Sequence, residues 1–523
     1  MISILISIDD QLRESALVWI ALLTLGTVLF FTVQRQLNAG AHRYPPGPKP
    51  RPFYSTVRDV PLDSPWLKFT EWAREYGDIV YLRVRGKPVV ILSSYQAISD
   101  LFEKRSGIYA DRTRRILAGL MGWSCVLPFL DYGPSWKTGR RILHQGLSKR
   151  AVKTYDHVQQ REIHAFLRRL LEEMNQDKPP VELFRRYAGA IILRIIYGHD
   201  VTSDTDDYVE RTEKALRALA HTGIPGGALV DTFTFLQYVP AWMPGAGWKK
   251  RALQERERIF RQIKEPFEDA KKGMENGSLP ACLVSTLLED SHADKELEEI
   301  ICWACGSMYS GGIHTTVATF STFLLAMLHN PQVALKAQAE LDKEVGLNCL
   351  PTLNDRDRLP YVNALLCETL RYYTVTPLAI PHRLKQDDIY RGYLIPKDAT
   401  VFSNLYAISH DERMYPHPHE FRPERFLEPS ETVVDPYDYC FGIGRRSCPG
   451  NHLADATLFL TVASILAAFD IRKAVDEKGE EIDAPFEFTP GLVSGPKPFR
   501  CQLVPRSERA AELVRSTGSC DIL

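Results

Sequence analysis

One cysteine stands in a run whose residue types suit the binding of a metal by a thiolate. The run from Phe441 to Gly450 reads FGIGRRSCPG, with Cys448 between Gly444 and Gly450. Glycine lets a backbone bend and approach another group closely, and amide N–H groups around a sulfur keep it ionised. The planar guanidinium of Arg446 suits a carboxylate. The run therefore predicts a tight turn that presents Cys448 as a thiolate ligand.

Charged and aromatic residues are paired at helical spacing in two other segments. Glu368 and Arg371 stand three residues apart, and Trp136 and Arg140 stand four apart, so each pair falls on one face of a helix. A further arginine, Arg425, follows in the segment Pro-Glu-Arg-Phe. Taken alone, the Glu368–Arg371 pair is typical of a solvated ion pair, and the Trp136–Arg140 pair is more typical of a core tryptophan beside a surface arginine.

A long helical segment carries a cluster of small and hydroxyl-bearing residues. Residues 290–330 form the longest helical candidate, which ends at an Asn-Pro step. Within it, residues 311–316 read GGIHTT, so a glycine pair precedes His314 and Thr315. A pair of small residues opens or kinks a helix, and a histidine can shuttle protons near neutral pH. The glycine pair therefore predicts that the helix opens or kinks in this segment.

The remaining pattern predicts a mainly helical chain with a few strands. Residues 80–84 and 88–92 are rich in strand-forming residues and predict a hairpin across Gly86-Lys87. From about residue 95 to residue 370 the patterning is mostly helical. These elements must position the cysteine loop and the glycine–threonine segment.

Composition limits the class of protein. The chain has 523 residues, 45% of them hydrophobic, and a net charge of -1. Such a balance gives no reason to expect a nucleic-acid partner. The ten cysteines lack the spacing of a disulfide framework, which indicates reduced thiols in a cytosol-like compartment.

The N-terminal region predicts a membrane anchor. Residues 15–33 contain no charged residue, and a helix of that length rises about 28 Å, close to the hydrocarbon thickness of a bilayer. A cleaved signal peptide is the alternative, but it would have a shorter apolar region and a basic start. Basic residues follow the segment, so the positive-inside rule places the N-terminus in the lumen and the rest of the chain in the cytosol.

The run around Cys448 fits F-x-x-G-x-R-x-C-x-G and resembles the haem-thiolate loop of the cytochrome P450 family. The resemblance implies a mainly α P450 fold with small peripheral β-sheets, preceded by one transmembrane helix. It divides the chain into a lumenal tail and anchor (1–34), a proline-rich linker (35–52) and a catalytic domain (53–523). The implied cofactor is haem b, with Cys448 as the axial ligand of its iron.

The resemblance also implies roles for other residues. Those expected to bind the cofactor beside Cys448 are Arg446, Trp136, Arg140, His382, Phe441, Gly444 and Gly450. Trp136, Arg140, Arg446 and His382 would face the haem propionates. Glu368, Arg371 and Arg425 would form a buried charge triad that fixes the loop presenting Cys448.

The helical segment matches the family pattern [AG]-G-x-[DE]-T-[TS] except at one position. Gly312, Thr315 and Thr316 match it, and the threonine would hydrogen-bond dioxygen at the haem and relay protons. His314 stands in place of the family's acid. Proton delivery therefore cannot use the usual carboxylate, and His314 becomes a candidate relay.

The resemblance implies monooxygenation of a lipophilic small molecule with O2 and electrons from NADPH, in the class EC 1.14. The C-terminal region is similar to fungal secondary-metabolism members such as O-methylsterigmatocystin oxidoreductase, so a terpenoid, polyketide or indole substrate is expected. The implied partner is the NADPH–cytochrome P450 reductase, at the endoplasmic reticulum membrane. The alternatives are an isomerase or dehydratase of the same fold that consumes no O2, and a non-catalytic haem-binding membrane protein.

Two surfaces complete the sequence predictions. The substrate pocket is expected to draw on residues 107–130, 218–247, 311–316, 375–380 and 491–494. Its apolar candidates are Met121, Trp123, Phe129, Phe233, Phe235, Leu378 and Val493. A basic set could attract an acidic reductase: Lys137, Arg140, Arg141, Lys149, Arg150 and Arg445.

Overall fold

A computed structural model of the chain describes residues 23–27, 29, 43–49, 60–61, 63–173, 180–203, 205–220, 228–290, 294–428, 430 and 432–520. Helices dominate the described part. They are α1 (Pro65–Tyr76), α2 (Tyr95–Ile98), α3 (Ser106–Tyr109), α4 (Ile116–Leu120), α5 (Pro134–Leu147), α6 (Lys149–Lys153), α7 (Asp156–Glu173), α8 (Pro180–Tyr197), α9 (Asp207–Ala220), α10 (Leu229–Thr232), α11 (Gly247–Glu275), α12 (Leu283–Asp290), α13 (Lys295–His329), α14 (Pro331–Glu344), α15 (Pro360–Tyr372), α16 (Leu405–Ser409), α17 (Tyr437–Cys440), α18 (Asn451–Ala468) and α19 (Glu508–Cys520).

The described strands form small sheets at the edge of the helical body. They are β1 (Ile79–Val84), β2 (Lys87–Leu92), β3 (Asp111–Arg112), β4 (His382–Arg383), β5 (Asp388–Tyr390), β6 (Tyr393–Ile395), β7 (Thr400–Ser403), β8 (Phe469–Val475), β9 (Glu481–Ile482) and β10 (Cys501–Pro505). One sheet has the order β1-β2-β7-β4-β3, the second β10-β8-β9 and the third β5-β6. Strands β2 and β7 pair in parallel, and the other pairs are antiparallel.

The predicted hairpin forms, but its turn is displaced by one residue. Val84 pairs with Lys87, so the turn residues are Arg85 and Gly86 and not Gly86-Lys87. Both turn residues have left-handed backbones, with φ of 49° and 82°. Two consecutive residues of that kind match the twist of the flanking strands, which explains why Lys87 joins the strand.

Two helices that are apolar on every side form the centre of the protein. Helix α13 confirms the long helix predicted over residues 290–330; it starts at Asp294, whose carboxylate accepts hydrogen bonds from the next turn. It stops where Pro331 begins α14, because proline suits the first turn of a new helix. Helix α18 is likewise buried along most of its length, and it begins directly after Gly450. The cysteine loop is therefore fixed to a core helix.

The predicted membrane segment lies mostly outside the described residues. Of residues 15–33, only 23–27 and 29 are described; they are helical, and their leucines are exposed. Among the described helices, α13 and α18 are long and apolar enough to cross a membrane, but both are largely buried inside the protein. Core helices commonly have that composition.

Candidate active site

The loop before α18 holds Cys448 in a tight turn. The Cys448 amide donates to the carbonyl of Phe441 at 2.6 Å. Gly442 and Gly444 have left-handed backbones, with φ of 76° and 67°. A Cβ at position 444 would lie 2.1 Å from the carbonyl oxygen of Phe102, so only glycine fits there. The turn forms because glycine occupies these two positions.

Gly450 contributes in another way than the sequence pattern predicted. Its backbone conformation, with φ of -91° and ψ of 9°, is one that other residue types can also adopt. Its amide donates to the sulfur and lowers the pKa of the Cys448 thiol. Arg140 acts in the same direction, whereas burial raises the pKa and has the larger effect. A cation bound at the sulfur would reverse that balance, since a coordinated thiol loses its proton.

Arg140 is attached to the cysteine loop. Its two terminal nitrogens donate to the backbone carbonyl and to the hydroxyl of Ser447, at 2.5 and 3.2 Å. Arg140 and Trp136 lie on one face of α5, as predicted, and both line the same cavity. Helix α5 therefore helps to hold the turn from outside.

Arg446 carries the most informative unsatisfied group of the site. Its Nε and Nη2 donate to the carbonyls of Ala110 and Leu130, each at 2.7 Å. Its Nη1 is buried and has no hydrogen-bond partner among the described residues. The guanidinium lies 4.5 Å from the ring centre of Trp136, and burial lowers its pKa to about 10. A buried cation with a free donor is stabilised by an anionic acceptor.

Sequence reasoning missed a second buried arginine beside it. Arg112 lines the cavity and donates to the carbonyls of Pro128 and Ile380, at 2.9 and 2.5 Å. Burial, and then the proximity of Arg446, holds its pKa well below the usual range. The sequence offers no signal that separates Arg112 from Arg114 and Arg115, because all three stand in one short basic stretch.

His382 also lines the cavity, but its hydrogen bonding differs from the predicted role. Its Nδ1 lies 2.7 Å from the carbonyl of Tyr109 and must donate to it, and its ring stacks on Phe102 at 4.0 Å. Burial, and then Arg112, holds its pKa well below the usual range. The neutral ring therefore presents Nε2 as an acceptor, and donation to a carboxylate would require the charged form.

The glycine–threonine segment of α13 faces the cysteine loop across the cavity. Gly311, Gly312, Thr315 and Thr316 all line it. The Thr315 hydroxyl donates to the carbonyl of Gly311 at 2.9 Å. The helix runs from Lys295 to His329 and includes the glycine pair.

The two glycines have different surroundings. A Cβ at Gly312 would lie 2.8 Å from Ile192, whereas a Cβ at Gly311 would meet nothing within 4 Å. Gly312 therefore lets α8 pack closely on α13, and Gly311 leaves room in the cavity. His314 is half-buried and does not line the cavity.

The cavity measures about 360 Å³ and is mostly apolar. Three of the five predicted segments contribute to its lining: 107–130, 311–316 and 375–380. The other two, 218–247 and 491–494, contribute none of their described residues. Its apolar lining includes Leu127, Ala188, Ile191, Met308, Val375 and Ile380.

The seven predicted apolar lining residues were wrong. None of Met121, Trp123, Phe129, Phe233, Phe235, Leu378 and Val493 lines the cavity. Met121 and Trp123 are buried in the core, and Trp123 packs against the ring of Phe129. Phe233 and Phe235 are 51% and 64% exposed. An apolar residue type does not reveal which of these environments it will occupy.

Behind the cavity the structure brings Glu368, Arg371 and Arg425 together. Glu368 and Arg371 are fully buried and form two hydrogen bonds, at 2.7 and 2.8 Å. Arg425 donates to the same carboxylate at 3.1 Å. The remaining guanidinium nitrogens donate to backbone carbonyls of residues 409 and 416–420. The triad therefore ties α15 to the segment that precedes the cysteine loop.

Comparisons with known proteins agree with this geometry. The sequence model of the family "Cytochrome P450" matches residues 45–503. Cytochrome P450 monooxygenase claR of Ampulloclitocybe clavipes is 41% identical over 91% of this chain and 88% of its own length. Tryptamine 4-monooxygenase of Psilocybe cyanescens is 38% identical over 94% of this chain and 98% of its own.

A solved structure gives the same result for the fold. A zebra fish cytochrome P450, determined with progesterone, superposes with a TM-score of 0.68 and 25% identity. The match covers 84% of this chain and 99% of that protein. The chain belongs to the cytochrome P450 family, and the predicted mainly helical P450 fold and fungal type are confirmed. It is a haem b monooxygenase of the class EC 1.14.

The residues present fit a haem. A macrocycle with two carboxylate arms needs a thiolate on one side, room on the other and cations at its edge. Cys448 and Thr315 line the same apolar cavity from the loop and from α13. The free Nη1 of Arg446 and the buried guanidinium of Arg112 supply uncompensated positive charge for the carboxylates.

Proposed function

We propose that this monooxygenase hydroxylates an unactivated carbon of an uncharged, lipophilic secondary metabolite, with a terpenoid as the favoured class. The observation that carries the proposal is the apolar cavity lined by both Cys448 and Thr315. None of the described residues lining it is Asp, Glu or Lys, so a substrate without charge is favoured. An aromatic polyketide or an indole is the alternative, since one relative is named for its action on tryptamine.

Within this proposal, the loop and its neighbours hold the cofactor. Cys448 supplies the thiolate ligand, Arg446 and Arg112 face the propionates, and Arg140 holds the loop through Ser447. Trp136 supports the Arg446 guanidinium through the face of its ring. When bound, the haem supplies activation of dioxygen for insertion of one oxygen atom into the substrate.

Residues of α13 transfer protons on the side of the cavity opposite the cysteine loop. The Thr315 hydroxyl faces the cavity while it donates to Gly311, so Oγ1 can also accept a hydrogen bond there. His314 directly precedes Thr315 and does not line the cavity. It can pass a proton toward the Thr315 hydroxyl. The glycine at 312 keeps α8 and α13 in close contact one turn from Thr315.

Electrons come, in this proposal, from the membrane-bound NADPH–cytochrome P450 reductase that docks near Cys448. Five members of the predicted basic set are exposed: Lys137, Arg141, Lys149, Arg150 and Arg445. Arg140, the sixth, turns inward to Ser447 and does not belong to this surface. Positive charge around the loop supports an acidic partner.

We place the protein at the endoplasmic reticulum, with the anchor of residues 1–34, the linker of 35–52 and a cytosolic catalytic domain of 53–523. An exposed apolar surface supports contact with a bilayer. We call it the apolar face; its members are Leu229, Phe233, Phe235, Tyr238, Trp242 and Met243, which are 41% to 80% exposed. Aromatic residues are favoured at the membrane interface.

The proposed reaction is tested with the full chain, its reductase and NADPH under isotopically labelled dioxygen. Candidate terpenoid, polyketide and indole substrates are supplied separately, and products are analysed by mass. A labelled oxygen atom in the product of an uncharged substrate supports the proposal. Turnover limited to ammonium-bearing substrates would overturn the substrate class, and unlabelled hydroxylated products would overturn hydroxylation by dioxygen.

A further inference from the structure

A second, smaller pocket lies outside the active site and is rich in basic side chains. It measures about 60 Å³ and lies where the β1–β2 hairpin meets α10 and the segment before α4. Four basic side chains line it (Arg85, Lys87, Arg114 and Arg115), with one acid, Asp231. Four positive charges less one negative charge leave a net charge of +3 among the lining residues, and Arg114 also pairs with Asp131, outside the lining, at 3.2 Å.

Arg115 is a basic residue of this pocket whose positive charge has no directly paired acid in the described part of the chain. Among the residues that the structure describes, none accepts a hydrogen bond from its guanidinium or pairs with it within salt-bridge distance. Its side chain is half-buried. Burial lowers its pKa, and the charge of Asp231 opposes that effect only in part. The carboxylate of Asp231 is already engaged with the Leu117 amide at 3.1 Å. An anion in the pocket would therefore stabilise Arg115.

The pocket adjoins the apolar face. Arg85 donates to the hydroxyl of Thr232 at 2.9 Å, and Lys87 donates to the carbonyl of Asp231 at 2.6 Å. These bonds attach the hairpin to α10, whose last residue directly precedes Phe233. A single ligand with an anionic head and an apolar tail could thus contact both surfaces.

We propose that the pocket binds the phosphate head group of an anionic membrane phospholipid, whose acyl chains lie along the apolar face. Guanidinium groups suit phosphate because their donors form a planar fork. The extended apolar face favours a lipid over a free anion, since a soluble phosphate would use none of it. The proposal rests on the membrane attachment proposed above, and it adds selectivity for the head group.

The test uses the full chain with haem, reconstituted in phosphatidylcholine vesicles that contain a minor fraction of brominated lipid. The brominated lipid is either phosphatidic acid or phosphatidylcholine, and bromine quenches nearby tryptophan fluorescence. Trp242 on the apolar face is 80% exposed, so the signal is the part that is lost in Trp242→Phe. We expect brominated phosphatidic acid to quench this signal at a lower mole fraction than brominated phosphatidylcholine.

Variants then assign the preference to the pocket. Arg115→Gln should lower the preference for phosphatidic acid about fivefold, the factor for about 1 kcal/mol per basic residue at an anionic surface. Asp231→Asn should raise it, because the amide oxygen can still accept from Leu117. Arg472→Gln, on β8 in another sheet, is the matched control and should change nothing. Lys87→Gln, at an exposed position, replaces Arg115→Gln if that variant loses haem.

The remaining outcomes separate this inference from membrane attachment. Quenching by neither lipid would overturn contact of the apolar face with the membrane, and the inference with it. Equal quenching by both lipids would leave attachment standing and overturn the head-group site. Loss of the preference on addition of inorganic phosphate, with attachment retained, would assign the pocket to a soluble anion and overturn the lipid.

Discussion

At the scale of single residues, the arginines near the sulfur have two different roles. Both terminal nitrogens of Arg140 donate hydrogen bonds to Ser447, so this residue holds the loop. Arg446 has two nitrogens on backbone carbonyls and one buried nitrogen that remains free. The turn is thus fixed by the protein alone, while part of the positive charge is left for the cofactor's carboxylates.

Gly444 should be intolerant of any side chain. Gly444→Ala would place a Cβ 2.1 Å from the Phe102 carbonyl in a left-handed backbone, so we expect loss of haem content and of the reduced-CO spectrum. Gly86→Ala is the control, because its backbone is also left-handed but nothing lies within 4 Å of its Cβ. That variant should lose only about 1–2 kcal/mol of stability. Equal haem retention in both variants would disprove the clash.

His314 should affect the use of electrons more than haem binding. If it relays protons to Thr315, His314→Ala should form less product per NADPH and more hydrogen peroxide. His314→Asp should retain or improve that ratio, because it restores the family's acid. Thr315→Ala should uncouple more severely, by at least about tenfold in product formed. NADPH, peroxide and product are measured together in all three variants.

Unchanged coupling in His314→Ala would rule out the relay. His314 would then be better explained by its position beside the cavity lining, and its replacement should shift the product pattern. Haem content, measured in parallel, controls for misfolding, since His314 lies outside the cavity lining.

Between elements, the buried triad is a polar connection with many hydrogen bonds. Glu368 accepts from Arg371 and Arg425, and the Arg422 amide also donates to it, at 2.7 Å. The two arginines spread their other donors over the carbonyls of residues 409 and 416–420. One carboxylate thus orders a segment that has little secondary structure of its own.

Glu368→Gln should destabilise the fold strongly. It leaves two buried guanidiniums without a counter-charge, which typically weakens stability by about 3–5 kcal/mol. Thermal unfolding and haem content are the measurements, and Glu512→Gln on the exposed side of α19 is the control. A Glu368→Gln variant as stable as the control would show that the triad does not hold this region.

Elements and sites defined by spacing along the chain could be predicted, and those that depend on distant packing could not. The cysteine turn, the i and i+3 pair in α15 and the long helix α13 are local patterns. Arg112 reaches the cavity because β3 pairs with β4. Gly442 adopts its left-handed backbone in the folded loop, and the local sequence does not indicate that conformation. The burial of Trp123 and the exposure of Phe233 and Phe235 likewise depend on the folded arrangement, because an apolar residue type is compatible with either environment.

For the whole molecule, the two proposed contacts use different elements. Arg445 lies in the cysteine loop and the other exposed basic residues lie on α5 and α6, whereas the apolar face and the cationic pocket lie around α10. Under these proposals, a reductase and a membrane would contact different residues of the protein. The N-terminal anchor and the apolar face would then provide two attachments to the bilayer.

Deleting residues 1–34 should convert an integral membrane protein into one that alkaline carbonate extracts from membranes. Haem binding should remain largely intact, because the described cavity involves no residue before Ile98. Fractionation of cells followed by haem measurement tests both expectations. A truncated chain that resists extraction would place the main attachment elsewhere, and loss of haem would make the segment part of the fold.

The central claim is that Cys448 is the thiolate that binds the haem iron, and the reduced-CO difference spectrum tests it most directly. A second cysteine, Cys440, lines the same cavity and donates to the carbonyl of Leu370 at 3.5 Å, so Cys440→Ala is a matched control. We predict that Cys448→Ala abolishes the band characteristic of thiolate haem, together with monooxygenase activity, and that Cys440→Ala retains both. Retention of the band in Cys448→Ala would contradict the account.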